Sequence, residues 1–130
     1  MKPFAAYIGT PWVAGAQGPE AFDCMAFFRH VQGEHFGVAV PPIIAPDYDD
    51  PSALVDLFSN HPERARWATL AKPEHGCAAL IRRPMHIGVW LDLDGGGVLH
   101  CVRGHGVVFT SDSSWPVSGF GRKEYFRAPA

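Results

Sequence analysis

The hydrophobic pattern of the first half of the chain is helical. Apolar residues recur with the spacing of one helix face at Phe22, Met25, Ala26, Phe28 and Val31. This spacing predicts a helix from about residue 22 to about residue 35, because Gly33 and Gly37 provide stop signals. Asp23 is the candidate N-cap of this helix, which places Cys24 in its first turn.

Shorter helical patterns flank this segment. Residues 2–8 predict a short helix that Gly9 and Pro11 end. Residues 52–59 predict another, capped by Ser52 or by Asp50 with Pro51 as the first helical residue. A further helical stretch is predicted around residues 63–69.

In the second half the pattern changes to short β-prone runs. They cover residues 77–81, 86–91, 98–102, 107–110 and, at the end, 124–127. Glycine, proline or polar residues separate them, and Asp94-Gly95-Gly96-Gly97 predicts a hairpin turn. Helices first and an antiparallel meander second predict an α+β fold, with N-terminal helices packed on one face of a C-terminal antiparallel β-sheet.

Length and composition fit one globular domain spanning residues 1–130. Hydrophobic residues make up 47% and charged residues 18%. The net charge of -2 gives no reason to expect a nucleic-acid or membrane partner. The start of the chain lacks the apolar core of a signal peptide, and no apolar run has the roughly 18 residues of a membrane span. We therefore expect a soluble protein made in the cytoplasm, without membrane insertion or an export signal.

Cys24 is the first candidate for chemistry. Unpaired N–H groups and the dipole at a helix N-terminus favour a thiolate, which is the nucleophilic form of cysteine. The same N–H groups can stabilise an oxyanion. The alternative is that Cys24, like Cys77 and Cys101, is only a small buried core residue, since the odd number of cysteines argues against a disulfide framework.

Two histidines complete the candidate site. Alternation along residues 86–91 places His86, Gly88 and Trp90 on one sheet face, and we expect that face to meet the helix that carries Cys24. His100 lies on the next predicted strand and can approach His86 across the sheet. A nucleophile, a base and a third polar residue that orients the base form a catalytic triad. A zinc site built from Cys24, His86 and His100 is an alternative.

Other polar residues have simpler interpretations. Arg82-Arg83 is expected to be a solvated loop. Four further histidines are expected at the surface, namely His30, His35, His61 and His75. Trp12 is expected to contribute a wall of a substrate groove.

Two segments resemble the NlpC/P60 superfamily. The stretch YIGTPWVAGAQGPEAFDCMAFFRHV resembles the family's nucleophile motif, and HIGVWLD…GGGVLHCVRGHGVV resembles its histidine strand and the hairpin that follows. The spacing and the C-terminal GFGRKEYFR look most like short phage-tail members of the family.

The resemblance implies a papain-like α+β fold and hydrolysis of amide bonds in peptidoglycan stem peptides. It implies Cys24 as the nucleophile, His86 as the base and His100 as the orienting third member. Asp23 and Trp12 are then expected to bind substrate, and Asp23 is expected to bind the free amino end of the substrate peptide. No metal or organic cofactor is implied. The phage-tail likeness implies a virion tail component that aids cell-wall penetration, with other tail proteins as partners.

Three positions depart from the family pattern. Met25-Ala26 stands where many members have Ser-Gly, Trp12 stands in place of a tyrosine, and Gly76-Cys77 replaces a Gly-Asp pair. These changes bear on substrate specificity. They also leave open a catalytically degenerate structural or assembly protein of the phage tail, or an acyltransferase or amidase that acts on another substrate.

Overall fold

The computed structural model describes residues 2–43 and 48–129 of the chain. A 3₁₀ helix, Phe4–Tyr7, comes first. The α-helices are α1 (Cys24–Phe36), α2 (Pro51–Asn60), α3 (Pro62–Arg66) and α4 (Trp115–Ser118). The strands are β1 (Ala68–Leu70), β2 (Ala78–Ile81), β3 (His86–Leu91), β4 (Gly97–Val102), β5 (Gly106–Ser111) and β6 (Lys123–Arg127).

The described residues form a six-stranded sheet in the order β1-β6-β2-β3-β4-β5, with neighbouring strands antiparallel. The predicted α+β class is confirmed, and β2 to β5 form the predicted meander. In the described parts of the chain, no helix combines the length and apolar character that a membrane span requires.

Local sequence signals explain where the first two helices begin. The Asp23 carboxylate accepts a hydrogen bond of 2.8 Å from the Ala26 N–H and caps α1 as predicted. Gly37, in the left-handed conformation at φ 66°, ends the helix. Asp50 caps α2, and Pro51 is the first residue of that helix, so the second of the two predicted caps is the right one.

The helical prediction for residues 63–69 is wrong beyond Arg66. Trp67 is extended and buried, and its indole N–H donates to the Glu63 carboxylate at 3.0 Å. The next three residues, Ala68–Leu70, form an edge strand paired with β6. Because β6 comes from the far end of the chain and inserts between β1 and β2, the pairing of β1 with β6 joins distant parts of the sequence. The local spacing of apolar residues does not predict such a pairing.

The two faces of the sheet carry different layers. Helix α1 packs on the face formed by Val89, Leu91, Leu99 and Cys101. The opposite face buries Trp90 and Val98 against Trp115 of α4. His86 alternates with Trp90, so the expectation that its face of β3 meets α1 is wrong. The alternation was predicted correctly, but the helix covers the other side.

Candidate active site

Cys24 opens onto a cavity of about 420 Å³ that we call the site cavity. It is large enough for a segment of peptide. Its walls come from the start of α1, from α2, from the turn before β3 and from the end of β4. Its lining includes Trp12, Cys24, Tyr48, Arg82, Arg83, Pro84, His86 and Arg103.

Cys24 and His86 line this one cavity although they belong to opposite layers. Cys24 is the first residue of α1 and His86 is the first residue of β3, so both lie where their elements begin. The thiol is close enough to the backbone of Ile87, the residue after His86, to interact with it. Within the described residues, no hydrogen bond joins the thiol to the imidazole.

Burial dominates the protonation of Cys24. The side chain is 3% exposed, and burial, followed by the nearby Asp23 carboxylate, raises the pKa of the thiol to about 12. The backbone of Ile87 and Met25 and the hydroxyl of Tyr48 pull the pKa the other way, but they are the weaker influences. Burial at this helix end therefore opposes the expected thiolate and favours the neutral thiol.

His86 and His100 form a hydrogen-bonded pair on the sheet. The distance from His86 Nε2 to His100 Nδ1 is 2.8 Å, and the two rings are stacked with their centroids 5.0 Å apart. Their predicted proximity is confirmed, since His100 pairs with Gly88 and lies diagonally across from His86. His86 Nδ1 lies 2.6 Å from the Pro84 carbonyl oxygen, and His100 Nε2 lies 3.0 Å from the Thr110 hydroxyl.

The surroundings keep both imidazoles neutral. Burial lowers the pKa of His86 to about 4, against a weaker opposing effect of the Pro84 carbonyl. The pKa of His100 is lowered well below its usual value by burial, then by His86 and by the Lys123 ammonium. The Phe120 ring packs against both histidines.

A half-buried ion pair lies near His100. Lys123 pairs with Asp112 at 2.5 Å, and its ammonium lies 4.3 Å from the centre of the Trp115 ring. Asp112 also accepts a hydrogen bond of 2.9 Å from the Trp90 indole. Sequence reasoning missed this group and Thr110. Strand alternation from Val108, which pairs with His100, would have found Thr110; Asp112 and Lys123 carry no local signal.

The two predicted substrate-binding residues differ in placement. Asp23 is 2% exposed, caps α1 and is absent from the residues that line the site cavity in the described structure. The position of Asp23 therefore fits helix capping and gives no support to a role in binding a substrate amine. Trp12 does line the cavity, edge-on to Tyr48 and 5.4 Å below the guanidinium of Arg103.

The methionine that follows Cys24 has a structural explanation. Met25 packs in the core between α1 and the sheet and is 5% exposed. Where many family members have a serine, this chain therefore has a methionine that adds an apolar side chain to the core. Cys77 and Cys101 are buried and free, as predicted.

The other histidines and the zinc alternative are settled by geometry. His30 and His35 are half-buried and share the hydroxyl of Tyr7 at 3.2 and 2.9 Å, so the prediction that they are surface residues is wrong. Among the described residues, no group of three His, Cys, Asp or Glu side chains is arranged to hold a metal ion. Cys24, His86 and His100 therefore do not form the alternative zinc site.

These features define an α+β domain in which a cysteine on a helix and a histidine on a strand line one cavity, and a second histidine is hydrogen-bonded to the first. A solved structure with the same fold is described as the NlpC/P60 domain of the peptidoglycan hydrolase SagA. It matches 94% of this chain and 91% of its own, with a TM-score of 0.58 and 22% sequence identity. The chain therefore has the NlpC/P60 fold. No family model matches the sequence, and no curated protein matches it significantly.

We expect Cys24 to react slowly with iodoacetamide at pH 7, at least about tenfold more slowly than an exposed thiol, because little thiolate is present. The rate should rise steeply above pH 9. Peptide mass spectrometry after timed alkylation measures it, and the urea-unfolded chain provides the reference rate. Fast alkylation of Cys24 in the folded protein below pH 7 would contradict the neutral thiol.

Proposed function

We propose that this chain is a cysteine endopeptidase that hydrolyses amide bonds in peptidoglycan stem peptides, with residues 1–130 acting as one domain. The observation that carries the proposal is the meeting of Cys24 and His86 at one cavity of peptide size, with His100 hydrogen-bonded to His86. The fold shared with a protein described as a peptidoglycan hydrolase supports it.

The proposed chemistry uses this chain's own groups. The sulfur of Cys24 attacks the substrate carbonyl carbon, and N–H groups at the start of α1 stabilise the oxyanion. His86 takes the thiol proton and passes it to the leaving amine as the C–N bond breaks. Water then hydrolyses the thioester and restores the thiol. His100 orients His86 through the 2.8 Å hydrogen bond.

The charge of the site cavity favours an anionic peptide. Its lining includes Arg82, Arg83 and Arg103, and no Asp or Glu of the described chain is part of it. Arg82 is held by Glu124, and Arg103 by Asp49. Arg83 has no side-chain hydrogen bond or ion pair among the described residues, so its guanidinium is available to a ligand. Stem peptides carry free carboxylates, which guanidinium groups bind well.

We expect Arg83→Gln to raise KM for a carboxylate-bearing stem peptide on the order of tenfold, with little change in kcat, because one charge-assisted hydrogen bond is lost. Steady-state kinetics on the acid and amidated forms of the peptide measure the effect. Arg122→Gln is the matched control, since Arg122 is 73% exposed and lies outside the cavity lining. Equal KM values for the acid and amide substrates with the unmutated protein would refute this role.

The direct test of the proposed function is release of peptides from purified cell-wall sacculi. Soluble fragments are separated and identified by mass spectrometry, which also identifies the bond that is cut. A related enzyme digested in parallel shows that the sacculi are competent. Absence of release by this protein under those conditions would count against the peptidase.

We propose more specifically that the domain works in a phage tail, in contact with other tail proteins, and is made in the host cytoplasm. Its support is the sequence resemblance in the motif spacing and in the C-terminal GFGRKEYFR. Detection of the chain in purified particles by mass spectrometry tests it. Slower genome entry by intact particles that carry Cys24→Ala is the expected result.

A second candidate function is a degenerate structural or assembly protein of the tail. The neutral thiol and the lack of a hydrogen bond between the described Cys24 and His86 favour it. It predicts particles with Cys24→Ala that assemble and infect normally. The two candidates therefore give opposite results in the same infection assay.

A further inference from the structure

The hydrogen bonds around His86 fix the position of its proton. The Pro84 carbonyl oxygen can only accept a hydrogen bond, and it lies 2.6 Å from His86 Nδ1. Nδ1 must therefore carry the proton and donate it. Since a neutral imidazole has one N–H, the other ring nitrogen, Nε2, presents a lone pair.

The same reasoning extends along the sheet to Thr110. His86 Nε2 lies 2.8 Å from His100 Nδ1, so His100 must donate from Nδ1. His100 Nε2 then carries a lone pair, and the Thr110 hydroxyl, 3.0 Å away, donates to it. The result is one directed chain, from Thr110 through His100 and His86 to Pro84, in which every described donor has an acceptor.

This direction has a consequence for Cys24. In the resting direction of this hydrogen-bond chain, neither nitrogen of His86 offers a free lone pair, because Nδ1 is protonated and the lone pair of Nε2 accepts from His100. The thiol proton has nowhere to go. A base with its lone pair on Nδ1 requires the opposite direction, in which His86 Nε2–H donates to His100 Nδ1 and His100 Nε2–H donates to Thr110.

We infer that the resting protein holds His86 as the Nδ1–H tautomer against Pro84, and that Thr110 is the positioning residue that serves both directions of the chain. Its hydroxyl donates to His100 in the resting direction and accepts from it in the reversed one. Reversal conserves protons: His86 Nδ1 releases its proton to water in the site cavity, His100 Nδ1 passes its proton to His86 Nε2, the Thr110 hydroxyl passes its proton to His100 Nε2, and water returns one proton to Thr110. It also breaks the contact between Nδ1 and the Pro84 carbonyl, in a turn that lines the site cavity and is therefore open to substrate.

The tautomers are tested by long-range ¹H–¹⁵N spectra of the whole protein labelled in its histidines, at pH 7. We expect protonated-type signals for Nδ1 and lone-pair-type signals for Nε2 in both His86 and His100. His86→Gln and His100→Gln assign the signals. A proton found on Nε2 of His86 would overturn the inference. This readout does not depend on whether the protein is a peptidase.

Thr110→Val and Thr110→Ser test the positioning role. Valine keeps the branched shape but removes the hydroxyl, so the lone pair on His100 Nε2 loses its donor and its ¹⁵N signal should shift towards that of an unbonded imidazole nitrogen, whereas serine should preserve the signal. Thr69→Val, on the exposed edge strand β1, is the matched control. An unchanged ¹⁵N signal of His100 Nε2 in Thr110→Val would refute the role.

The expected effect of Thr110 on catalysis rests on the proposed peptidase function. There we expect kcat to fall on the order of tenfold in Thr110→Val and to recover in Thr110→Ser, with KM unchanged. Equal kcat in the two variants would exclude Thr110 from the reaction. An unmutated protein that shows the expected tautomers but cleaves no peptide would refute the proposed function and leave the tautomer assignment supported.

Discussion

Replacement of Cys24 by alanine is expected to abolish peptide release from sacculi, with kcat lowered on the order of 10⁴-fold or more. The proposed reaction forms a thioester on this sulfur, and removal of a nucleophile leaves only the modest acceleration from binding and oxyanion stabilisation. Timed digestion followed by chromatography of the soluble peptides measures the loss. The folded state is checked by circular dichroism, because Cys24 is buried.

Cys77→Ala is the matched control for Cys24→Ala. Cys77 is also a free, buried thiol, but it packs on the opposite sheet face beside Trp90. We expect this variant to lose some stability while it keeps its activity. Equal peptide release by the unmutated protein and Cys24→Ala would remove the sulfur from the mechanism, and the degenerate tail component would then be the better proposal.

The prediction of the fold succeeded where the signal was local. The Asp23 cap, Gly37 after α1 and the Asp94–Gly97 turn act within a few residues, so the sequence reports them directly. The edge strand Ala68–Leu70 depends on a partner near the end of the chain. Its three residues are too few to show a strand periodicity of their own, so the helical pattern that precedes them predicts a helix that is too long.

The candidate site was predicted in part for the same reason. Alternation and one hairpin bring His86 near His100, and both effects are local. Which sheet face α1 covers depends on the whole core, so the relation of His86 to that helix was predicted wrongly. The protonation of Cys24 was also missed, since a helix terminus is visible in sequence while burial, the larger influence here, is not.

The buried imidazoles make acid destabilisation the second large expected effect. The pKa of His86 falls from 6.5 to about 4 on folding, so the unfolded chain binds a proton there that the folded chain refuses. The stabilising contribution is therefore complete above pH 6.5 and is lost as the pH falls from 6.5 towards 4. The loss from His86 alone is about 3 kcal/mol of the free energy of unfolding. His100, whose pKa is also lowered, adds to the loss.

Urea titrations between pH 7 and pH 4 measure this effect, and His86→Gln assigns it. Glutamine cannot be protonated, so the variant should be less stable than the unmutated protein at pH 7 but should lose less stability on acidification. His105→Gln, in the exposed turn between β4 and β5, should follow the unmutated curve throughout. Parallel curves for His86→Gln and the unmutated protein would mean that His86 is protonated equally in both states. Burial of a neutral imidazole at His86 would then be ruled out as the cause of the acid destabilisation.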